Sequence, residues 1–290
     1  MIARPTFNVP LPGGRLLVLG ERTLVMGILN ITPDSFADGG LHLDPGAAEE
    51  AAMAMQAEGA DLIDIGGEST RPGSEQISAD EEIGRIRPVL QRLGGKLAIP
   101  ISVDTTKAAV AEMALGEGAA MLNDVSGLRY DSTLAEIAAR HGAGLVLMHG
   151  RGRSRDMYRE ASYVSVAAEV TQELGQSLER ALAAGVAREA VILDPGLGFA
   201  KRPEHSYAAL AGLPELAALG RPLLAGPSRK SFLTAAIGER PAAGRDAATA
   251  GAVAAAVLLG AHIVRVHAVK EMVDVVRVAD MIRRTGPANA

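Results

Sequence analysis

Short apolar runs alternate with helix-like stretches along nearly the whole chain. The runs are rich in aliphatic and β-branched residues throughout, which is typical of parallel strands that are covered on both faces. Eight such runs occur: Val25–Leu29, Leu62–Ile65, Ile99–Val103, Ala120–Leu122, Leu145–Leu147, Val191–Leu193, Leu223–Ala225 and Ile263–Val266. Helical patterns follow them at Pro45–Glu58, Asp80–Leu93, Lys107–Glu117, Ser132–His141, Val164–Ala184, Pro203–Leu219, Ala247–Leu259 and Val269–Arg283. Eight strand-then-helix units predict a closed (β/α)8 barrel, with a doubly wound open sheet as the alternative.

The predicted barrel forms one domain over residues 1–290, a length that a single (β/α)8 barrel can occupy. Residues 1–24 form the lead-in. Within it, Leu16–Leu19 and Thr23–Leu24 across Gly20–Glu21 predict a short hairpin at the bottom of the barrel. Residues 285–290 are expected to form a loose tail.

Charge and composition exclude several classes of function. The chain has 29 basic and 34 acidic residues, a net charge of −5, so no overall positive field exists to gather nucleic acid. Cysteine is absent, which rules out disulfides and thiolate chemistry. Ala247–Val264 is uncharged over 18 residues, but Gly260 divides it into a helix and a strand, so we predict no membrane span. A cytoplasmic enzyme is the expectation.

Polar residues follow nearly every predicted strand, and in a barrel those positions share one rim. The segments are Asn30–Phe36, Gly66–Gly73, Asp104–Lys107, Asn123–Ser126, Met148–His149, Asp194–Phe199, Ser228–Ser231 and Arg265–His267. Single Asp or Asn residues there could simply cap the next helix. Capping does not account for Arg265 and His267, which stand two residues apart and therefore point to the same side of a strand. The sequence predicts that these groups line one cavity.

Other common motifs are absent. Gly226–Ser231 lacks the glycine that precedes the lysine of a phosphate-binding loop, and no dinucleotide-binding glycine pattern opens a helix. The histidines have no metal-ligand spacing, and His141, His205 and His262 are interpreted as packing or surface residues. The arginines of the loop after the fifth strand favour a solvated loop over direct substrate binding; they are Arg151, Arg153, Arg155 and Arg159.

Two long motifs resemble the signatures of the dihydropteroate synthase family, the folate-pathway enzymes that sulfonamides inhibit. Met26–Phe36 is similar to the first signature and Asp64–Gly73 to the second. Further segments match in the same order from Met26 to His267: those at Asp104, Asn123–Asp124, Leu147–His149, Asp194–Phe199 with Lys201, Ser228–Lys230 and Arg265–His267.

The resemblance implies condensation of 7,8-dihydropterin-6-ylmethyl diphosphate with 4-aminobenzoate, with Mg²⁺ assistance and release of pyrophosphate. It implies four catalytic residues, Asp104, Asp194, Lys230 and Arg265, and a pterin site of Asp104, Asn123, Met148, Asp194 and Lys230. The implied diphosphate site comprises Asn30, Thr70, Arg71, Arg265 and His267, with Asn30 also near Mg²⁺. The implied aminobenzoate site comprises Phe36, Thr70, Pro72, Phe199 and Ser228. The family also suggests a homodimer, and no nucleic acid or membrane partner.

Two alternatives stay open. A pterin-dependent methyltransferase barrel shares the pterin-facing Asp and Asn but needs no Ser228–Lys230 segment or diphosphate clamp. A catalytically silent paralogue would only bind pterin or a protein partner. The chain departs from the family pattern at Gly150, Pro227 and Ala268, none of which is an implied ligand.

Overall fold

The structure, a computed structural model, describes residues 4–32, 44–70, 73–153 and 155–285. Its strands are β1 (Phe7–Leu11), β2 (Arg15–Leu19), β3 (Leu24–Asn30), β4 (Leu62–Gly66), β5 (Ile101–Asp104), β6 (Met121–Asp124), β7 (Gly144–Met148), β8 (Val191–Asp194), β9 (Leu224–Ala225) and β10 (Ile263–Val266). Its helices are α1 (Pro45–Ala57), α2 (Ala79–Leu93), α3 (Ala108–Gly116), α4 (Thr133–His141), α5 (Val166–Ala183), α6 (Pro203–Ala211), α7 (Leu213–Leu216), α8 (Thr234–Ile237), α9 (Asp246–Leu258) and α10 (Val269–Thr285).

Strands β3 to β10 form one parallel sheet that closes on itself. Neighbouring strands follow one another in chain order, and β10 pairs with β3 in parallel register. The circle closes between β8 and β9, where Leu193 bridges Leu223 and its amide donates to the Pro222 carbonyl at 2.9 Å. The predicted (β/α)8 barrel is confirmed, and the open-sheet alternative is wrong.

Alternate residues of each strand face the helices or the barrel interior. Residues such as Ile63, Val103 and Leu193 point outward into the apolar layer between the sheet and the helices. The interior residues near the strand starts, including Met26 and Met121, pack into a second apolar cluster at the bottom. Apolar side chains therefore fill the barrel interior near the strand starts. The interior positions nearer the carboxyl ends of the strands are left for polar side chains.

The predicted N-terminal hairpin exists and its strand Leu16–Leu19 lies within β2, but the predicted partner strand Thr23–Leu24 and the turn at Gly20–Glu21 are wrong. The hairpin pairs β1 with β2 through a turn at Pro12–Gly14, whereas Leu24 already begins the first barrel strand. Gly13 and Gly14 both have φ of 74°, which suits glycine in a tight turn. Pro10 weakens the strand signal of β1, because proline cannot donate to a ladder. Val9, Leu11, Leu17 and Leu19 pack into the bottom cluster, as a hairpin at that end should.

A buried polar cluster joins the first described residues to the last helix. The Arg4 guanidinium donates to the Ala261 carbonyl at 2.6 Å and pairs with Asp280 of α10 at 3.3 Å. Asp280 also accepts from the Thr23 amide at 2.6 Å. This cluster fastens the lead-in to α10 beneath the barrel.

Two other helical predictions are settled by the structure. The predicted single helix at Pro203–Leu219 breaks at Gly212 into α6, α7 and a short 3₁₀ turn, since Pro214 cannot continue the α6 hydrogen bonding. The uncharged segment Ala247–Val264 divides between α9 and β10, as predicted. Among the described helices, none is long and apolar enough to cross a membrane.

His262 lies in the core beneath the barrel. Its Nδ1 accepts from the Leu223 amide at 3.1 Å, and its Nε2 lies 3.1 Å from the Pro5 carbonyl, to which it donates. The ring meets the edge of Phe7 at a centroid distance of 5.2 Å. Both nitrogens of the neutral imidazole are therefore satisfied, which confirms His262 as a packing residue.

We expect acid to destabilise the fold through His262. Burial lowers the pKa of His262 from 6.5 to about 4. Above pH 6.5 the ring is neutral in both the folded and the unfolded chain. As the pH falls from 6.5 through 4, the unfolded chain takes up the proton first, and the free energy of unfolding decreases. The loss is about 3 kcal/mol by the usual conversion of 1.36 kcal/mol per unit. Urea unfolding between pH 7 and pH 4 measures it.

A variant separates His262 from the other buried histidine. Burial also lowers the pKa of His149 to about 4. The His262→Asn variant should therefore keep roughly half of the acid-induced decrease in the free energy of unfolding. His141→Asn removes an imidazole that pairs with the exposed Glu112 at the end of α4; it is the matched control and should keep most of the wild-type loss of stability. Equal slopes for the wild type and His262→Asn would contradict this account.

Candidate active site

The candidate site occupies the interior positions directly above the apolar bottom cluster. Two residues beyond five of the interior apolar residues stand four polar side chains and one methionine: Asp64 follows Leu62, Asn123 follows Met121, Met148 follows Val146, Asp194 follows Ile192 and Arg265 follows Ile263. The strand register sets Asn30, Gly66, Asp104 and Asn123 beside one another in successive pairs. Met148 and Asp194 form the corresponding pair on β7 and β8. The strand register therefore brings these residues together at the same end of the barrel interior.

Arg265 lies at the centre of this interior layer. Its Nε donates to Asp64 Oδ2 at 2.6 Å and its Nη2 donates to Asp104 Oδ2 at 3.0 Å. Asn123 Nδ2 donates to the same Asp64 oxygen at 2.8 Å. One guanidinium thus connects β10 with β4 and β5, and through Asp64 with β6.

Asp64 is a site residue that the sequence analysis missed. It lies within an apolar strand, is fully buried, and holds Arg265 and Asn123 in place. A carboxylate between Ile63 and Ile65 was the available signal, since buried carboxylates are rare unless they are paired. Among the described residues, Asp64 Oδ1 and Asn123 Oδ1 are buried acceptors that receive no hydrogen bond. Buried acceptors of this kind call for a donor, and a bound ligand can supply it.

Burial dominates the electrostatics of Asp104, Asp194 and Lys230. It raises the pKa of Asp104 to about 8 against the opposing effect of Arg265. It also raises the pKa of Asp194, against Lys230 and the Gly196 amide, which donates to Asp194 Oδ1 at 2.7 Å. Burial lowers the pKa of Lys230 to about 8, while Asp194 opposes that shift. A partner that is positively charged or offers several N–H donors would therefore stabilise the ionised form of these buried carboxyl groups.

Lys230 borders both the carboxylate layer and the aromatic Phe199. Its Nζ donates to the Leu197 carbonyl at 2.6 Å and lies 4.5 Å from the centre of the Phe199 ring. Gly226 separates Lys230 from Arg265: a Cβ atom there would lie 3.8 Å from Lys230 Nζ and 3.8 Å from Arg265 Cβ. The glycine leaves room between the two cations.

Ser228 and His267 form a pair at the ends of β9 and β10. Ser228 Oγ accepts from the His267 amide at 3.1 Å and lies 2.9 Å from His267 Nδ1. The structure thus groups Ser228 with the implied diphosphate ligand His267. Neighbouring Arg229 has φ of 57° and pairs with Asp246 of α9 at 2.7 Å, outside the barrel interior.

A cleft beside the barrel mouth contains Thr70 and Phe199 together with Gly150. A Cβ atom at Gly150 would lie 3.1 Å from the Arg129 guanidinium, so this departure from the family pattern makes room for Arg129. Three implied ligands, Phe36, Arg71 and Pro72, lie outside the described residues.

The arginine loop after β7 differs from the solvated loop that the sequence predicts. Arg151 pairs with Glu169 at 2.7 Å and with Glu173, and its guanidinium lies 4.1 Å from the centre of the Tyr163 ring. Arg153 donates to Gln76 Oε1 at 2.8 Å, which joins this loop to the loop after β4. The solvated-loop prediction is wrong for Arg151, which is half-buried in these contacts, whereas Arg153, Arg155 and Arg159 are exposed.

Metal-binding capacity at the site is limited. Within the described ranges, no three Asp, Glu, His or Cys side chains gather as a metal cluster. Asn30, the implied Mg²⁺ neighbour, lies at the end of β3, and its Oδ1 would be 3.7 Å from a Cβ atom at Gly66. One amide oxygen fits an ion that takes its remaining ligands from phosphate and water, as Mg²⁺ commonly does.

The fold and the polar side chains at the carboxyl ends of its strands define a (β/α)8 barrel enzyme. The family model described as "Pterin binding enzyme" matches residues 26–267. A dihydropteroate synthase of Synechocystis is 45% identical over 279 residues, with 96% of each chain covered. The chain belongs to the dihydropteroate synthase family.

Solved structures agree with this assignment. A Xanthomonas albilineans dihydropteroate synthase with 4-aminobenzoic acid matches with a TM-score of 0.88 and 39% identity, covering 97% of this chain and 100% of that one. The enzyme of the same organism in complex with 7,8-dihydropteroate matches with a TM-score of 0.84 and 37% identity, covering 96% and 100%. The predicted family, fold and enzyme class, a transferase of folate synthesis, are confirmed.

Proposed function

We propose that this protein condenses 7,8-dihydropterin-6-ylmethyl diphosphate with 4-aminobenzoate to give 7,8-dihydropteroate and pyrophosphate. The observation that carries the proposal is the pair of buried acceptors, Asp64 Oδ1 and Asn123 Oδ1, above which Asp194 and Lys230 face the same interior. The Xanthomonas relative binds 4-aminobenzoic acid and 7,8-dihydropteroate, one substrate and one product of this reaction.

A pterin matches the polarity of these groups. Its amino group and ring N–H groups are donors for carboxylate and amide oxygens, and its ring carbonyl is an acceptor for a cation. Asp194, Asp104 and Asn123 supply acceptors, and Lys230 supplies the donor on the other side. Met148, beside Asp194 in the strand register, supplies an apolar contact for the flat ring.

The reaction needs positioning and charge stabilisation more than a nucleophile from the protein. The C–O bond to the diphosphate breaks, and its electron pair leaves with the pyrophosphate. The pterin methylene carries the positive charge until the amine of aminobenzoate forms the C–N bond and then loses one proton to solvent or pyrophosphate. Buried carboxylates near the ring stabilise the cation, and Arg265 fixes the geometry of two of them, Asp64 and Asp104.

The departing diphosphate requires donors and a counter-ion. His267, Thr70 and Arg71 are proposed as donors, with Arg265 near the pterin end. Asn30 is proposed to hold Mg²⁺, which when bound neutralises charge on the departing pyrophosphate. Ser228 holds the His267 main chain and ring, and so shapes this part of the site.

Aminobenzoate is small, flat and anionic, and it is proposed to lie against Phe199 beside Lys230. Thr70 lines the same cleft as Phe199, and Phe36, Pro72 and Ser228 complete the proposed contacts. Sulfonamides are proposed to compete for this place.

We propose further that the protein is a homodimer. The outer face of α10 exposes three large apolar side chains, Val278, Met281 and Ile282, which a second copy could cover. Catalysis in the cytoplasm stays a prediction from the sequence.

The decisive experiment measures pyrophosphate release from the pterin diphosphate in the presence of Mg²⁺, with and without 4-aminobenzoate. Amine-dependent release, together with dihydropteroate formed in equal amount, is the expected result. Pterin binding without product would indicate the silent paralogue. Methyl transfer to a corrinoid partner without pyrophosphate release would indicate the methyltransferase.

A further inference from the structure

A row of three buried or half-buried side chains runs behind the pterin site and ends at Lys201. Lys201 is only 1% exposed, although no pairing with a carboxylate holds it among the described residues. Its Nζ lies 2.7 Å from His149 Nδ1 and donates to the carbonyls of Gly196 and Phe199, both at 3.2 Å. On the far side of the ring, His149 Nε2 lies 3.1 Å from Glu173 Oε2.

The hydrogen bonds fix the proton positions along this row. Burial opposes ionisation of Glu173, but hydrogen bonds from His149 and Arg151 lower its pKa to about 2, so Glu173 is a carboxylate that can only accept. His149 Nε2 must therefore carry the hydrogen, which leaves Nδ1 as an acceptor. Lys201 Nζ then faces three acceptors, and only the ammonium form has three N–H bonds to offer them. Burial pushes the pKa of Lys201 down, and the Asp194 carboxylate opposes that shift.

Lys201 also braces the turn that carries two substrate-facing residues. Its contacts on the Gly196 and Phe199 carbonyls hold both ends of the segment between Asp194 and Phe199. The Gly196 amide donates to Asp194 Oδ1, and the Gly196 carbonyl accepts from Lys201. The two side chains therefore bond the amide and the carbonyl of the same residue. Gly196 has φ of 68°, and a Cβ atom there would lie 1.8 Å from the His149 carbonyl oxygen, so the turn has little freedom to adopt another form.

We propose that Lys201, oriented by His149 and Glu173, is a positioning residue whose buried positive charge holds the Asp194–Phe199 turn and keeps Asp194 ionised for the pterin. This inference rests on the proposed function. The other charges that act on Asp194 are Lys230, from the segment after β9, and Arg265, from β10. Without Lys201 these two cations remain, so Asp194 should bind a proton more readily but keep part of its affinity for pterin.

The test compares Lys201→Met with the wild type. Calorimetry gives the affinity for the pterin diphosphate from pH 5 to pH 9, and steady-state kinetics gives KM for 4-aminobenzoate. In the variant we expect the acid-side loss of pterin affinity to begin about one pH unit higher and KM for aminobenzoate to rise about tenfold, because both ends of the turn lose their donor. Lys96→Met, at the exposed lysine that pairs with Glu49, is the matched control and should leave both quantities unchanged.

Glu173→Gln provides a second variant that keeps Lys201 and the packing. It frees His149 to place its hydrogen on Nδ1, against the Lys201 ammonium, and we expect a shift of the pterin pH profile in the same direction but smaller. A folded Lys201→Met protein with the wild-type profile and KM would overturn the inference, and so would an unchanged Glu173→Gln profile if Lys201→Met does not fold. A wild-type protein that binds no pterin would instead overturn the proposed function.

Discussion

Replacing Arg265 with alanine is expected to lower kcat/KM about 10³-fold. Arg265 bonds both Asp64 and Asp104 through one guanidinium, so its loss removes a fixed positive charge and releases two carboxylates of the proposed pterin site. Removing one preorganised donor from a reacting site commonly costs about 10²–10³ in rate, and here the geometry of further groups depends on it. Steady-state kinetics with both substrates measures the effect.

Two control variants test whether the loss of rate is specific to the Arg265 guanidinium. Arg265→Lys retains a positive charge but lacks the planar guanidinium whose Nε and Nη2 each meet one carboxylate, so it should recover only a small part of the lost rate. Arg277→Ala changes an exposed arginine of α10 and should leave the rate unchanged. Circular dichroism shows whether each variant is folded. A folded Arg265→Ala protein with a near-normal rate would contradict the proposed site.

The Asp194→Asn variant is expected to weaken binding of the pterin diphosphate at least about 100-fold. The substitution exchanges a buried charged acceptor for a neutral amide whose NH₂ group would face the donors of the pterin. It also leaves Lys230 beside a neutral partner, which weakens a second contact. Calorimetric titration without aminobenzoate isolates this binding step.

The fold should tolerate Asp194→Asn, since the amide oxygen can still accept from the Gly196 amide. Asp274→Asn, at an exposed position of α10, is the matched control and should bind pterin normally. Heats of pterin binding that are equal in Asp194→Asn and the wild type would exclude Asp194 as the pterin acceptor.

The sequence predicted the barrel well because each of its strands is an apolar run that needs no partner to be recognised. The partner of β2 in the hairpin was predicted wrongly because Pro10 weakens the strand pattern of β1 and because a glycine at position 20 is typical of a turn. Gly20 instead lies against the Pro5 carbonyl, where a Cβ atom would come within 2.5 Å. Contacts of that kind depend on the folded chain and leave little trace in the local pattern.

The site residues also differ in whether the local sequence pattern or only contacts between distant segments can identify them. Residues at strand ends, such as Asp104 and Asn123, stand out because polar groups interrupt apolar runs. Asp64 was missed because it lies inside such a run rather than after it. The contact of Lys201 with His149 joins residues 52 positions apart, and only the closure of the turn after β8 brings them together.

The fastening of Arg4 and Thr23 to Asp280 bears on how cooperatively the barrel unfolds. Because β3 pairs with β10 and the segment before β3 is bonded to α10, the first and last barrel units cannot separate without breaking both the strand pairing and this buried cluster. Loosening of α10 is therefore expected to weaken the seam between β3 and β10 as well.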